Sequence, residues 1–256
     1  NGDADGIIAL HQLRLASPVQ SELVTGVKRD ISLLQQVEAQ AGDTVTVLDI
    51  SLDKNRAALE KLLAAGVAVE YFDHHFAGDI PANSLLTSHI NTAADTCTSL
   101  LVNAELKNQY RPWAVTAAFG DNLFEAAQQA AVPLSLSQEQ LDALRELGTY
   151  INYNGYGAAI TDLFFPPDEL YSRLHPYTDP FAFIHEDSAY QTLAEGYATD
   201  MTQARNMQAE IATPDYALFI LPDAAWARRV SGVFANSLAQ QHPDRAHAML
   251  TETSDG

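Results

Sequence analysis

Cysteine is nearly missing from this chain. Its 256 residues include one, Cys97, so no internal disulfide can form. Long apolar runs are missing as well: none approaches the roughly 18 residues that span a bilayer, and no signal-peptide pattern is visible. Basic residues are scarce, with 14 Lys and Arg against 33 Asp and Glu and a net charge of −19. Long nucleic acids are held by many Lys and Arg contacts to phosphate, so neither an extended duplex nor a long strand is an expected ligand. A small anion is not excluded, because a metal centre supplies local positive charge whatever the net charge. These absences predict a cytoplasmic protein without a membrane partner.

What is present is ordinary for a globular protein, 47% apolar and 18% charged residues, enough to build a substantial core. The first ~150 residues alternate strand and helix signals, the pattern of βαβ units around a parallel sheet. The spacing predicts a helix over 7–15, a strand over 22–27 and a helix from Asp30 to about Ala39. A strand over 44–48 ending at Asp49 follows, then a helix over 54–65 stopped by Gly66 and a strand over 67–72 ending at Asp73. Helices are expected over 95–106 and 112–119. Pro, Gly and aromatic residues then interrupt the pattern, which reads as a connector carrying a helix over about 189–211. A last βαβ unit follows: strand 216–221, helix 225–240 and a strand near 246–250. The expected fold class is α/β, with a parallel-sheet domain over 1–150, a helical connector over 151–211 and a smaller α/β domain beginning at 212–256. Because Asn1 begins inside a strand-to-helix turn and the last unit stops as its second strand finishes, both ends are expected to be cut.

Acidic residues and histidines gather where the apolar strands end. Asp73-His74-His75 closes the run Val67-Ala68-Val69-Glu70-Tyr71-Phe72, Asp49 closes Thr44-Val45-Thr46-Val47-Leu48, and Asp3-Ala4-Asp5-Gly6 stands at the head of the chain. In an open α/β sheet, ligands collect in the crevice outside the carboxyl ends of strands. A mixed imidazole and carboxylate set there suits manganese, iron or zinc. Each cluster alone has a plainer reading: an Asp-Gly turn, a strand-end carboxylate, a capping histidine pair, and, for Gly120-Asp121-Asn122, a helix stop. The first cluster also resembles a calcium loop, but its twelfth position is Gln12, where a bidentate Glu is needed. The case for one metal site rests on the clusters recurring in order.

In that ordered set the chain resembles the DHH phosphoesterase superfamily. The matching motifs are Asp3-Ala4-Asp5-Gly6, Asp49, Asp73-His74-His75 and Asp121 in Gly120-Asp121-Asn122. Residues from about Pro214, with Arg229-Val230-Ser231-Gly232-Val233 and Ala235-Asn236, resemble the start of the DHH-associated domain. The resemblance implies two Mn²⁺ ions, with Mg²⁺, Co²⁺ or Fe²⁺ as substitutes. Asp49 would bridge them, Asp3 would bind one, and Asp5, His74 and Asp121 the other. It further implies that His75 faces the scissile phosphate with Asp73 behind it. Some relatives carry a further metal-binding His, at a position that here precedes Asn1, and a glycine-rich substrate loop beyond the last residue.

The activity so implied is hydrolysis of short nucleotides or linear dinucleotides by a metal-activated water. Arg229, Lys28 and Arg29 are candidate substrate contacts. A cyclic dinucleotide, pyrophosphate or short polyphosphate substrate stays open, as do a nucleotide-binding module without catalysis and a homodimer as the assembled form.

Overall fold

The computed structural model describes residues 1–252, so residues 253–256 of the expected C-terminal unit lie outside the described residues. The chain opens with helix α1 (Ala4–Ala16), capped by the Asp3 carboxylate accepting from the Gly6 N–H. Strand β1 (Thr44–Leu48) leads through the Ser51 cap into α2 (Leu52–Ala64). Gly66, at φ +82°, turns the chain into β2 (Ala68–Asp73), since this left-handed conformation favours glycine. Then come β3 (Leu86–Ile90), α3 (Thr98–Glu105), α4 (Arg111–Gly120), α5 (Phe124–Ala131) and α6 (Gln138–Gly155). The second half holds α7 (Pro167–Leu174), α8 (Pro180–Glu186), α9 (Ser188–Arg205), β4 (Ile211–Ala212), β5 (Tyr216–Leu221), α10 (Ala225–Gln241) and β6 (Ala246–Thr251).

The architecture is α/β. Strands β1, β2 and β3 form one parallel sheet in that order, and β4, β5 and β6 form a second, with β4 antiparallel to β5 and β6 parallel to it. Leu48 pairs with Phe72, and the Asp49 N–H still donates to the Phe72 carbonyl at 3.0 Å. The register therefore brings Asp49 level with Asp73 at the carboxyl edge of the sheet. Helix α4 crosses α6 at two glycines. A Cβ on Gly120 would lie 2.7 Å from the Gly148 carbonyl oxygen, and one on Gly148 would lie 2.1 Å from that of Thr116. Only residues without side chains allow this approach, and it sets the height of the α4 C-terminus, where Asp121 sits.

Several expectations are corrected. Residues 22–27 form no strand. They face β1 across a cavity of about 620 Å³ lined by Glu22–Thr25 on one side and Thr44–Leu48 on the other, so their backbone has no ladder partner. The helix expected after Asp30 shrinks to a 3₁₀ turn, Leu33–Gln36. Asp30 accepts from the Val27 N–H behind it and closes that turn instead of capping a helix ahead. Strand β3 and helices α5 to α8 were not expected. The prolines read as connector residues include Pro167 and Pro180, the first residues of α7 and α8, where the missing N–H costs nothing. Leu170, Phe183 and Leu193 pack with Ile8, Trp113 and Ile151 in one core, so this stretch is an integral layer. Helix α6 runs unbroken through residue 150, where the pattern changes. No helix among the described residues is long and apolar enough to cross a membrane.

His11 lies fully buried in that core. Its Nε2–H donates to the Tyr177 carbonyl at 2.9 Å, its Nδ1 has no partner, and its ring meets Trp113 edge-on. Burial lowers its pKa to about 4, against the pull of the Tyr177 carbonyl. The ring is thus neutral in the folded protein over a range where the unfolded chain, with a value near 6.5, already binds the proton. Stability is full above about pH 6.5 and is lost as pH falls towards about 4, by on the order of 3 kcal/mol. Urea midpoints measured across this window should fall, and fall less steeply in His11→Gln, whose amide can keep the Tyr177 bond. Equal slopes in both proteins would contradict this.

Candidate metal centre

Four separated segments deliver carboxylates and an imidazole to one point beyond the sheet. Asp49 leaves β1 with φ 61°. This left-handed backbone is uncommon outside glycine, tolerated better by Asp than by most residues, and frequent at functional sites. His74 follows β2 directly. Asp5 lies in the first turn of α1, and Asp121 caps α4, with Asn122 after it also left-handed at φ 62°. His74 Nε2 is 3.4 Å from Asp49 Oδ1, 3.6 Å from Asp121 Oδ2 and 4.0 Å from Asp5 Oδ2. Ligand atoms of Asp5, His74 and Asp121 lie within 4.8 Å of one another, as do those of Asp49, His74 and His75.

The supporting contacts show how these groups are aimed. His74 Nδ1–H donates to the Thr96 carbonyl at 2.9 Å, which leaves Nε2 as the nitrogen facing the carboxylates, the arrangement a metal-ligating histidine needs. Asp5 accepts from the Thr98 and Ser99 N–H groups at 2.6 and 2.7 Å, the start of α3, where the helix dipole favours an anion. Thr98 Oγ1 donates to Asp49 at 3.2 Å. His75 Nδ1 lies 2.7 Å from Asp73 Oδ1 and 3.9 Å from Asp49 Oδ1. Asp73 is fully buried, and its second oxygen has no partner.

Electrostatics mark the site as incomplete without positive charge. Asp3, Asp5 and Asp49 are all but inaccessible to solvent. Burial, with Asp3 and Asp5 beside it, drives the Asp49 carboxyl well above the usual carboxylate range, against the pull of its bond to His74. Asp121 is pushed up to about 6 by burial and Asp5, despite Lys28. Burial opposes a charged His74, yet the bond to Asp49 and the charges of Asp5, Asp49 and Asp121 raise it to about 9. Carboxyls pushed up by burial and by one another, beside an imidazole whose proton they stabilise, mark a site short of positive charge. A divalent ion would satisfy the same donors, so the residues fit such an ion, with Asp5, Asp49, His74 and Asp121 as its holders.

The other candidates are engaged differently. Asp3 is in the cluster, but its Oδ1 is taken by the Gly6 N–H and its Oδ2 by Lys28 Nζ at 2.6 Å. Lys28, expected to meet substrate, instead points into the carboxylates. Arg29 beside it is exposed. Arg229 does not join the site. Its donors go to Asp200, the Tyr153 hydroxyl and the Asp162 carbonyl, and its guanidinium lies over the Phe164 ring. These contacts tie α10 to the helices beneath it, away from the carboxylate cluster. Sequence reasoning missed Thr96, Thr98, Ser99 and Asn152, none of which carries a motif. The polar start of α3 hinted at Thr96, Thr98 and Ser99, and nothing pointed to Asn152 in α6. The helix Ala4–Ala16 also rules out a calcium loop over the first twelve residues.

Replacing Asp49 with glycine removes a buried charge and a left-handed non-glycine residue together. In EDTA, Asp49→Gly should melt at least as high as the parent, by about 2–4 °C for each ~1 kcal/mol gained. Manganese should raise the parent's melting temperature and leave the variant's unchanged. A variant that melts well below the parent in EDTA would make Asp49 a structural residue.

No protein-family model matches the chain, and no curated protein does. Among solved structures, the crystal structure of exonuclease RecJ bound to manganese is similar at 16% sequence identity and a TM-score of 0.45, over 98% of this chain and 74% of that one.

Proposed function

We propose that this protein is a metal-dependent phosphoesterase of the DHH type that hydrolyses short nucleotides or linear dinucleotides. The observation that carries the proposal is the convergence of Asp5, Asp49, His74 and Asp121 from four distant segments on one point. Their order along the chain is that of the DHH motifs. When bound there, a divalent ion, manganese by preference for this oxygen-rich set with one imidazole, lowers the pKa of water and neutralises charge on a phosphate.

The chain's own residues supply the rest. Asp73 holds the Nδ1 proton of His75 and leaves Nε2 as the ring nitrogen open to a ligand. The role we assign to His75 is to face the scissile phosphate with this nitrogen, on a ring whose orientation Asp73 fixes. Next to Asp121 lies an open cleft of about 440 Å³ lined by Asn122, Phe124, Asn236, Ala239 and Gln240. The exposed Phe124 ring offers a face on which a base can stack, and the three amides can bond its edge. The net charge of −19 favours one or two nucleotides over a long strand.

The test is a manganese-supplemented assay on a linear dinucleotide, a cyclic dinucleotide, adenosine bisphosphate and pyrophosphate. The linear dinucleotide should be the best substrate, and Asp49→Asn should lower kcat/KM at least ~100-fold, about 2.7 kcal/mol of barrier. Phe124→Ala should raise KM for the dinucleotide about tenfold, the loss of one stacking contact, and leave pyrophosphate turnover unaltered. Turnover of pyrophosphate alone would make the protein a pyrophosphatase. Tight nucleotide binding without turnover of any substrate would make it a binding module.

A further inference from the structure

The resemblance implies two metal ions, but one of the two cation positions is already filled by the chain itself. Lys28 Nζ lies 2.6 Å from Asp3 Oδ2, 3.1 Å from Asn152 Oδ1 and 3.5 Å from Asp121 Oδ1. An ammonium has three N–H donors and no acceptor, and three oxygens surround this one. The side chain is held at both ends. Its backbone N–H donates to the Gly155 carbonyl at 2.8 Å, and its ammonium stands 5.5 Å from the centre of the Tyr156 ring.

Asp3, the residue expected to bind the second ion, is consumed by this arrangement. One oxygen caps α1 through Gly6 and the other binds Lys28. The metal-capable groups are two, Asp5–His74–Asp121 and Asp49–His74–His75; they share His74, whose one free nitrogen can serve a single ion, and neither includes Asp3. The charges agree. Four carboxylates, Asp3, Asp5, Asp49 and Asp121, face one ammonium and one divalent ion with a single negative charge left over, which the positive end of α3 at Asp5 offsets. A second divalent ion on Asp3 would sit against the ammonium and repel it at a distance where like charges interact strongly.

We propose that Lys28 supplies the second cation of the centre, so that the protein binds one divalent ion, held by Asp5, Asp49, His74 and Asp121, with the Lys28 ammonium on Asp3, Asn152 and Asp121 in place of the other. The assignment rests on the phosphoesterase reading above. With its three donors taken by Asp3, Asn152 and Asp121, the ammonium acts on the centre as a fixed point charge. Unlike an ion, it does not exchange with the medium.

The experiment is manganese stoichiometry of the full chain by calorimetric titration and metal analysis after gel filtration, with electron paramagnetic resonance of the loaded protein. The wild type should bind one ion per chain and show the hyperfine pattern of an isolated Mn²⁺. Lys28→Met should bind two and show the broadened signal of a coupled pair, and Lys28→Arg, which keeps the charge, should stay at one. If Lys28→Met does not fold, the wild-type stoichiometry decides. Two ions in the wild type overturn the assignment and leave the phosphoesterase reading standing. One ion in both wild type and a folded Lys28→Met also overturn it, because Lys28 is then not what excludes the second. Failure of the wild type to bind any ion removes the metal centre itself, and this assignment with it.

Discussion

Buried carboxylates repel one another, and each loses much of its hydration on leaving water. Asp3, Asp5, Asp49 and Asp121 are brought together regardless, with three of the four almost fully enclosed. Much of the surrounding architecture deals with this cost. The N-terminus of α3 is turned towards Asp5, Thr98 donates to Asp49, the Thr96 carbonyl sets the ring of His74, and Lys28 reaches in from the loop before the 3₁₀ turn. The glycine crossing of α4 and α6 lets Asp121 approach from the opposite side. A core under no functional constraint would place apolar side chains here, since well-packed hydrophobic residues commonly match or exceed buried ionic groups in stability.

The strand-end clusters were legible because a parallel sheet delivers the ends of adjacent strands to one edge. Asp49 and Asp73 follow apolar runs of similar length, and the Leu48–Phe72 pairing makes them neighbours. Gly66 as a turn and the 216–221 and 225–240 elements were legible for the same reason, a clear period bounded by a clear stop. Strand β3 was not. Its sequence Leu86-Thr87-Ser88-His89-Ile90 is polar and partly exposed, and it is a strand because β2 offers it an edge. Residues 22–27 show the converse: a good strand sequence that lacks a partner. Helices α7 and α8 were hidden by prolines that read as breakers but act as first residues.

Within the site, motifs pointed to the ligands and not to their surroundings. Lys28 was assigned to substrate because a basic pair after an apolar run resembles an anion contact. Its partners Asp3 and Asn152 are 25 and 124 residues away, and no local pattern reveals that meeting. Arg229 is engaged away from the cluster for a related reason. Sequence marks it as a cation near a helix start, while the fold supplies Asp200, Tyr153 and Phe164 to absorb it. With Arg228 bound to Asp162, these two arginines fasten α10 to the layer below and fix where Asn236 and Gln240 stand relative to Asp121. That is a positioning role for both, of which only Arg229 was first read as a substrate contact.

The central claim is that the convergent carboxylates and His74 exist to hold a divalent ion. The most direct measurement is anomalous diffraction from crystals grown with manganese, collected at the manganese absorption edge. A peak within about 2.5 Å of His74 Nε2 and of carboxylate oxygens from Asp5, Asp49 and Asp121 is the predicted result. Anomalous density confined to surface carboxylates, with the four residues bonded among themselves at full manganese loading, would contradict it.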